Sequence, residues 1–442
     1  MILEKPVAPI HLSGAYLRRL EPVRTAFLGL VTYLILALVA PLRSTVADPS
    51  TLAVAYALAC YLGLAVGAIL FHTLFPQKPA ARDLWAAPLP KPLFLVALGL
   101  SGLGVAMRMT DRFILRGVPL GEDFASVRAQ LEATSASPLS AASAVIYPIC
   151  FGMIFFYYCL PKTERRWWLG ALATLIFLYP SFESIISGTR SQMAVSLGFI
   201  LVTRSILVDD LKWLRNRLVV AAAGILILNL FFLMFEIRVE SMGQDFYTSS
   251  QNSGYAFTVP PNDFALSYLV ENKGIMTSIV SLIVHFTQYY CHSGFEYLYI
   301  FDRLPEKPLW GAFNFFHIYK FFGMVVGDSS VNETINNLDI RVGVYATFFV
   351  PLFIDYHWGG PVFMMIFGFV LSLLWRATFR HPTAWFPLTG YMSIVLFLMP
   401  ITSFIVASQG LYVITALLAM GVLIHRMDGS GRRLTAGFRK AQ

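Results

Sequence analysis

Ten apolar runs, each close to the length of a bilayer crossing, limit what this 442-residue chain can fold into. They fall at roughly 25–42, 51–73, 92–107, 139–160, 167–187, 191–208, 218–237, 344–375, 384–405 and 408–425. About 20 residues of helix cross the hydrocarbon of a bilayer. Inside that layer every backbone N–H and C=O must be paired within the protein, which leaves helices or a closed barrel. Uninterrupted runs without alternation read as helices. The fold class that follows is an all-α polytopic membrane protein with about ten transmembrane helices, or twelve if two further segments also cross. Composition agrees: 57% of the residues are hydrophobic and only 13% charged, more apolar surface than a soluble domain hides. Residues 1–442 read as one integral membrane domain, without repeats, low-complexity tracts or a soluble module.

The first run follows Lys5, Arg18, Arg19 and Arg24 and continues to full span length, so it reads as a retained signal anchor. The third is short and runs into Arg108, and the eighth is long enough that tilt or protrusion is expected. Orientation follows from the cations. With the N-terminus inside, the cytoplasmic connections hold twenty-one of the 33 Lys and Arg residues but only seven of the 25 acids. Both termini are therefore expected in the cytoplasm. The formal charge of +8 then belongs to the inner membrane surface, with lipids rather than nucleic acid as its partner.

The connection 238–343 is the large external loop of this scheme, and it is expected to cover a reaction site at the outer face. It interleaves Arg238, Glu240, Asp245, His285, His292, Arg303, His317, Lys320 and Arg341 with many aromatics. Within 275–292, the residues Ser278, Ser281, His285, Gln288 and His292 recur at steps of three and four, a polar stripe on an apolar helix. A second aromatic segment, 308–326, carries Asn314, His317 and Lys320. Both fit amphipathic helices at the interface or a re-entrant pair shielded by protein.

Several groups can carry chemistry. Arg108, Arg112 and Arg116 share one helical face at the end of the third run, where they suit a polyanion or snorkel into headgroups. Ser187-Gly188-Thr189-Arg190-Ser191 is a tight external turn, with Glu183 about two turns earlier in the apolar run. An ionisable residue at that depth needs a partner or a cavity, so either Glu183 ties Arg190 or the turn offers amides and a guanidinium to an anion. Glu236, Arg238 and Glu240 emerge from the seventh run, where a carboxylate can accept a proton from an attacking hydroxyl or simply balance the local charge. His285, His292 and His317 are bases near neutral pH, but their spacing matches no compact zinc motif. Asp355 sits within the eighth run and must be paired or wet, and the adjacent Gly359 and Gly360 allow close helix approach. Four cysteines without a CxxC argue against a disulfide framework. No Walker loop, serine elbow, HExxH or DxD motif occupies the cytoplasmic side.

This plan resembles the Wzy-type repeat-unit polymerases of bacterial O-antigen and exopolysaccharide assembly. The likeness covers the hydropathy plan of almost the whole chain. Locally it rests on Asp111-Arg112 with Arg116-Gly117 and Arg128, on Gly188-Thr189-Arg190-Ser191, and on Gly343-Val344-Tyr345-Ala346-Thr347 followed by Asp355-Tyr356-His357-Trp358-Gly359-Gly360. Some members repeat an Arg with a Gly eleven residues later in both large external loops, and no external arginine here has that partner.

The resemblance implies a metal-independent glycosyltransferase of the GT-C type in the bacterial inner membrane, needing no cofactor. Its donor and acceptor would be polyprenyl-diphosphate-linked glycans, and a chain-length regulator would be a further partner. Arg112, Arg116, Arg190, Arg238, Arg341 and Tyr345 are then expected to bind diphosphate and glycan, with Glu240, His317 or Asp355 as the base. An O-antigen ligase uses the same chemistry on another acceptor. A lipid-linked oligosaccharide flippase would hold the same diphosphate without reacting, but it should show pseudo-symmetric halves, and none is visible.

Overall fold

The computed structural model describes residues 9–76, 83–118, 137–186, 191–207, 246–271, 275–316 and 344–440, with residues 127, 130, 318, 319, 335, 338 and 341. The seventh apolar run and the candidates Arg190, Arg238, Glu240 and His317 lie outside the described residues. The chain opens on strand β1 (Ile10–Ser13) and helix α1 (Gly14–Arg19), followed by α2 (Pro22–Val39) and α3 (Thr51–Leu74). Strand β2 (Asp83–Ala86) precedes α4 (Lys91–Met109), which widens into a π-helical turn over Thr110–Leu115. Next come α5 (Pro138–Ile146), a 3-10 segment (Tyr147–Gly152), α6 (Met153–Tyr158), α7 (Trp167–Ile186) and α8 (Ser191–Ile206). The long connection contributes α9 (Phe246–Asn252), α10 (Asp263–Glu271) and α11 (Ile275–Ile300). The chain ends with α12 (Phe349–Tyr356), α13 (Gly360–Arg380), α14 (Pro382–Phe397) and α15 (Gly410–Lys440).

The protein is therefore an all-α polytopic membrane protein. Among the described residues seven stretches are long and apolar enough to cross a bilayer: 22–39, 51–74, 91–115, 138–158, 167–186, 349–380 and 410–427. Helix starts are written locally. Glu21 accepts from the N–H groups of Val23 and Arg24 at 3.2 and 2.8 Å, with Pro22 at the first helical position, and Ser50 accepts from Ala53 N–H at 3.3 Å. The antiparallel β1–β2 pair, Ile10 opposite Ala86 and Ser13 opposite Asp83, has no counterpart in the sequence expectation. It buries Leu12 and clips the N-terminal segment onto the chain before α4.

Contacts at the helix ends define two faces. His381 is the single residue between α13 and α14, and its ring lies 4.4 Å from that of His425 near the far end of the apolar part of α15. Thr383 donates to Ala87 O at 2.8 Å just before α4, and Leu89 N donates to Cys159 O just before α7. These ends form the proximal face. The short connection between α2 and α3, the start of α13 and the start of α15 lie at the opposite, distal face. α3 and α13 run side by side, so close that a Cβ at Gly63, Gly67 or Gly368 would overlap the carbonyl of Pro361, Met365 or Leu64.

Two stretches between these helices are not helical. Within the long eighth run, the chain is irregular over 344–348, rises as α12, turns through a 3-10 segment at His357–Gly359 and returns as α13. The expected long span is thus a broken one, with His357 at φ +46°. α14 has only 16 residues, about 24 Å, and its irregular continuation 398–409 completes the passage to the distal face. Met399, Thr402, Ser403 and Phe404 in that continuation are buried, as backbone at membrane depth must be. Phe348 N donates to Met399 O at 3.0 Å and links the two irregular stretches. α11 lies across the distal parts of α2 and α3: Tyr33 donates to Cys291 O at 2.9 Å and Tyr297 to Ala53 O at 2.6 Å.

Candidate functional site

Arg108 and Glu183 each lie about 25 Å along their helices from the proximal face, α4 and α7 respectively. Their side chains meet there. Arg108 Nε donates to both carboxylate oxygens of Glu183 at 2.8 and 2.7 Å, and Arg108 Nη2 donates to Oε1 at 2.6 Å. The guanidinium also lies 5.1 Å from the Tyr147 ring centre, and Gln192 donates to the Tyr147 hydroxyl at 3.2 Å. Both ions are buried, Arg108 at 5% and Glu183 at 3% exposure. A charge so far from water is tolerable only when paired.

A second arginine reaches the same carboxylate. Arg112 Nη2 lies 2.5 Å from Glu183 Oε1, one helical turn above Arg108. Its side chain is 18% exposed, and among the described residues its remaining donors have no partner. Among the described residues two cations thus share one anion, a net positive grouping whose open side is Arg112. Glu183 therefore clamps the α4 arginines, while the expected Glu183–Arg190 tie falls on a residue outside those described.

Arg116 departs from the expected three-arginine face. The π-helical turn brings Arg116 N to Asp111 O at 2.9 Å, and Arg116 Nε lies 3.1 Å from Asp111 Oδ2. Ser137 hydrogen-bonds the other oxygen of Asp111. Arg116 is thereby neutralised locally, while Arg108 and Arg112 stay together. A π-turn leaves no mark in hydropathy, so the i, i+4, i+8 pattern hides it.

A second group surrounds His292 on α11. Nδ1 of His292 lies 2.9 Å from Gln288 O and donates to it, while Nε2 accepts from Tyr345 N–H at 3.2 Å. The two contacts fix the neutral Nδ1–H tautomer. Burial holds the imidazole down at about 4, against a weaker upward pull from its backbone partners. The Tyr255 ring lies 4.1 Å from the imidazole, tilted by 32°, and Tyr289 donates to the Tyr345 hydroxyl at 2.9 Å. Arg341 pairs through both Nε and Nη2 with the buried Glu296, donates to Gly254 O at 3.0 Å and covers the Phe257 ring. Arg341 and Tyr345 are thus brought together on α11.

Asp355 is fully buried, and its carboxylate accepts from Phe313 N–H at 2.9 Å, Asn314 N–H at 2.7 Å and Asn314 Nδ2 at 2.5 Å. Those donors fasten the turn 309–316 to the end of α12, with Trp310 and Gly311 both at positive φ. The carboxylate is engaged in holding that turn. Among the described residues no group of three or more His, Cys, Asp or Glu side chains is arranged to hold a metal ion.

The irregular segment 398–409 joins the two groups. Its start touches α11, where Ser293 donates to Pro400 O at 3.5 Å, and its end, Gln409, faces Arg108. Beside α11 an apolar groove of about 420 Å³ runs between α2 and α3, lined by Leu30, Leu34, Val54, Leu58, Tyr297 and Phe349 among others. The chain matches no family model, no curated protein and no solved structure.

Proposed function

We propose that this protein is a metal-independent glycosyltransferase that polymerises polyprenyl-diphosphate-linked repeat units. The distal face is then the outer face of the bacterial cytoplasmic membrane. The observation that carries the reading is the Arg108–Glu183–Arg112 cluster, whose one part-exposed guanidinium keeps unused donors in a desolvated, net positive setting. Such a group favours a phosphate oxyanion, and it stabilises the charge that develops on a departing diphosphate. The apolar groove beside α11 suits a hydrocarbon tail, and the Tyr255, Tyr289 and Tyr345 rings suit sugar faces. The His292 imidazole, neutral at physiological pH, supports a general-base role only if Tyr345 N–H releases Nε2.

The test is incubation of purified protein in lipid vesicles with a lipid-linked repeat unit, read as a glycan ladder. Arg112→Ala should lower turnover about a hundredfold, close to 3 kcal/mol, and Arg112→Lys should recover little because the fork is lost. A ladder of normal length and rate from Arg112→Ala would end this assignment. Transfer of single repeats to a lipid-A core acceptor without a ladder would replace polymerase by ligase.

A further inference from the structure

We infer that Gln409 is a positioning residue that locks Arg108 and so presents Arg112 to an anionic group, a role that rests on the anion-binding reading above. Gln409 is the last residue before α15 and adopts φ +61°, a left-handed conformation that a glutamine side chain disfavours. The turn that forces it is tight, because a Cβ on the following Gly410 would overlap the Phe404 carbonyl. With its amide oxygen facing the guanidinium, Gln409 accepts from Arg108 Nη2 at 2.9 Å and from Nη1 at 3.1 Å. The opposite amide orientation would set an NH2 against two N–H groups, which excludes it.

Those two contacts hold Arg108 from a second side. Glu183 takes Nε and one Nη2 hydrogen, Tyr147 lies against the guanidinium, and Gln409 takes the second Nη2 hydrogen and one on Nη1, four of the five N–H donors. With Arg108 held from both sides, neither it nor Glu183 is free to swing, and Arg112, the more exposed of the two arginines, is the one presented. The residue type at 409 also sets the cluster's charge. A neutral amide holds Arg108 without cancelling it, whereas a carboxylate would bring the cluster to neutrality.

A locally strained residue retained for function separates stability from binding, and that supplies the test. Inorganic pyrophosphate is titrated calorimetrically into the detergent-solubilised protein and four variants, Arg112→Ala, Gln409→Gly, Gln409→Asn and Gln409→Glu, with melting temperatures recorded in parallel. Gly and Asn accept the backbone conformation, and Asn is too short to reach Arg108, so both should melt no lower than wild type. Both should nevertheless bind pyrophosphate at least about tenfold more weakly, the scale of one lost hydrogen bond to a charged group. Gln409→Glu should keep the contact and the fold yet bind more weakly still. Wild-type affinity in Gln409→Gly, with binding abolished in Arg112→Ala, would overturn the positioning role alone. Failure of the wild type and Arg112→Ala alike to bind would overturn the anion site and this role together. A lower melting temperature in Gln409→Gly with affinity unchanged would make Gln409 merely structural.

Discussion

At the scale of single residues, the informative contrast is between arginines that each hold a carboxylate of their own and one that does not. Arg108 pairs with Glu183, Arg116 with Asp111 and Arg341 with Glu296, while Arg112 shares a carboxylate already held by Arg108. Sequence spacing identified the stripe but could not rank its members. The ranking depends on partners from α7 and on a π-turn, neither of which lies within reach of local periodicity. His292 gives a prediction of its own. In the unfolded chain it titrates near 6.5, in the folded protein near 4, so between those values the unfolded state binds the extra proton. Stability is therefore complete above pH 6.5 and lost as the pH falls toward 4, by roughly 3 kcal/mol in all. Melting temperatures of wild type and His292→Gln across that range in detergent should converge as the pH falls. Parallel curves would show that His292 is not held neutral by burial.

At the scale of elements, apolar runs located the membrane helices because the bilayer imposes length and composition directly. What they could not give is where a helix stops inside an apolar run. The irregular segment 398–409 lies in sequence nearly as greasy as the helices beside it, and at His357 the following Gly359-Gly360-Pro361 suits close helix packing as well as a break. Asp355 was visible as an anomaly, and the structure supplies its partners: the turn 309–316 hangs on its carboxylate. That makes Asp355→Asn a pointed substitution. The amide keeps the volume but turns an NH2 toward backbone donors, leaving buried donors unmatched at about 1–3 kcal/mol. The variant should melt lower, and Trp310, which is 73% exposed on the anchored turn, should become more mobile by fluorescence anisotropy. A catalytic carboxylate predicts the reverse: turnover abolished with melting temperature and Trp310 anisotropy unchanged.

At the scale of the whole molecule, the cation count and the contact pattern make a joint statement about sidedness. The proximal face gathers Arg165, Arg166, Arg376, Arg380 and Arg426, the connections that the positive-inside bias assigns to the cytoplasm. The distal face carries α10, tied to the α2–α3 connection by Arg43 and Asp263 at 2.9 Å and by Arg43 N donating to Pro260 O. The molecule suits a labelling experiment, since its four cysteines are all buried thiols outside any disulfide, and burial pushes the Cys291 thiol up to about 12. Wild-type protein should therefore stay silent to a membrane-impermeant maleimide. A cysteine at exposed Ser267 on α10 (Ser267→Cys) should be labelled in intact cells or spheroplasts. A cysteine at exposed Thr163, between α6 and α7 (Thr163→Cys), should be labelled only after lysis. The reverse pattern would put the Arg112 cluster at the cytoplasmic end of the bundle. A lipid-linked glycan displayed at the outer face would then be out of its reach, and the polymerase reading would fall with the topology.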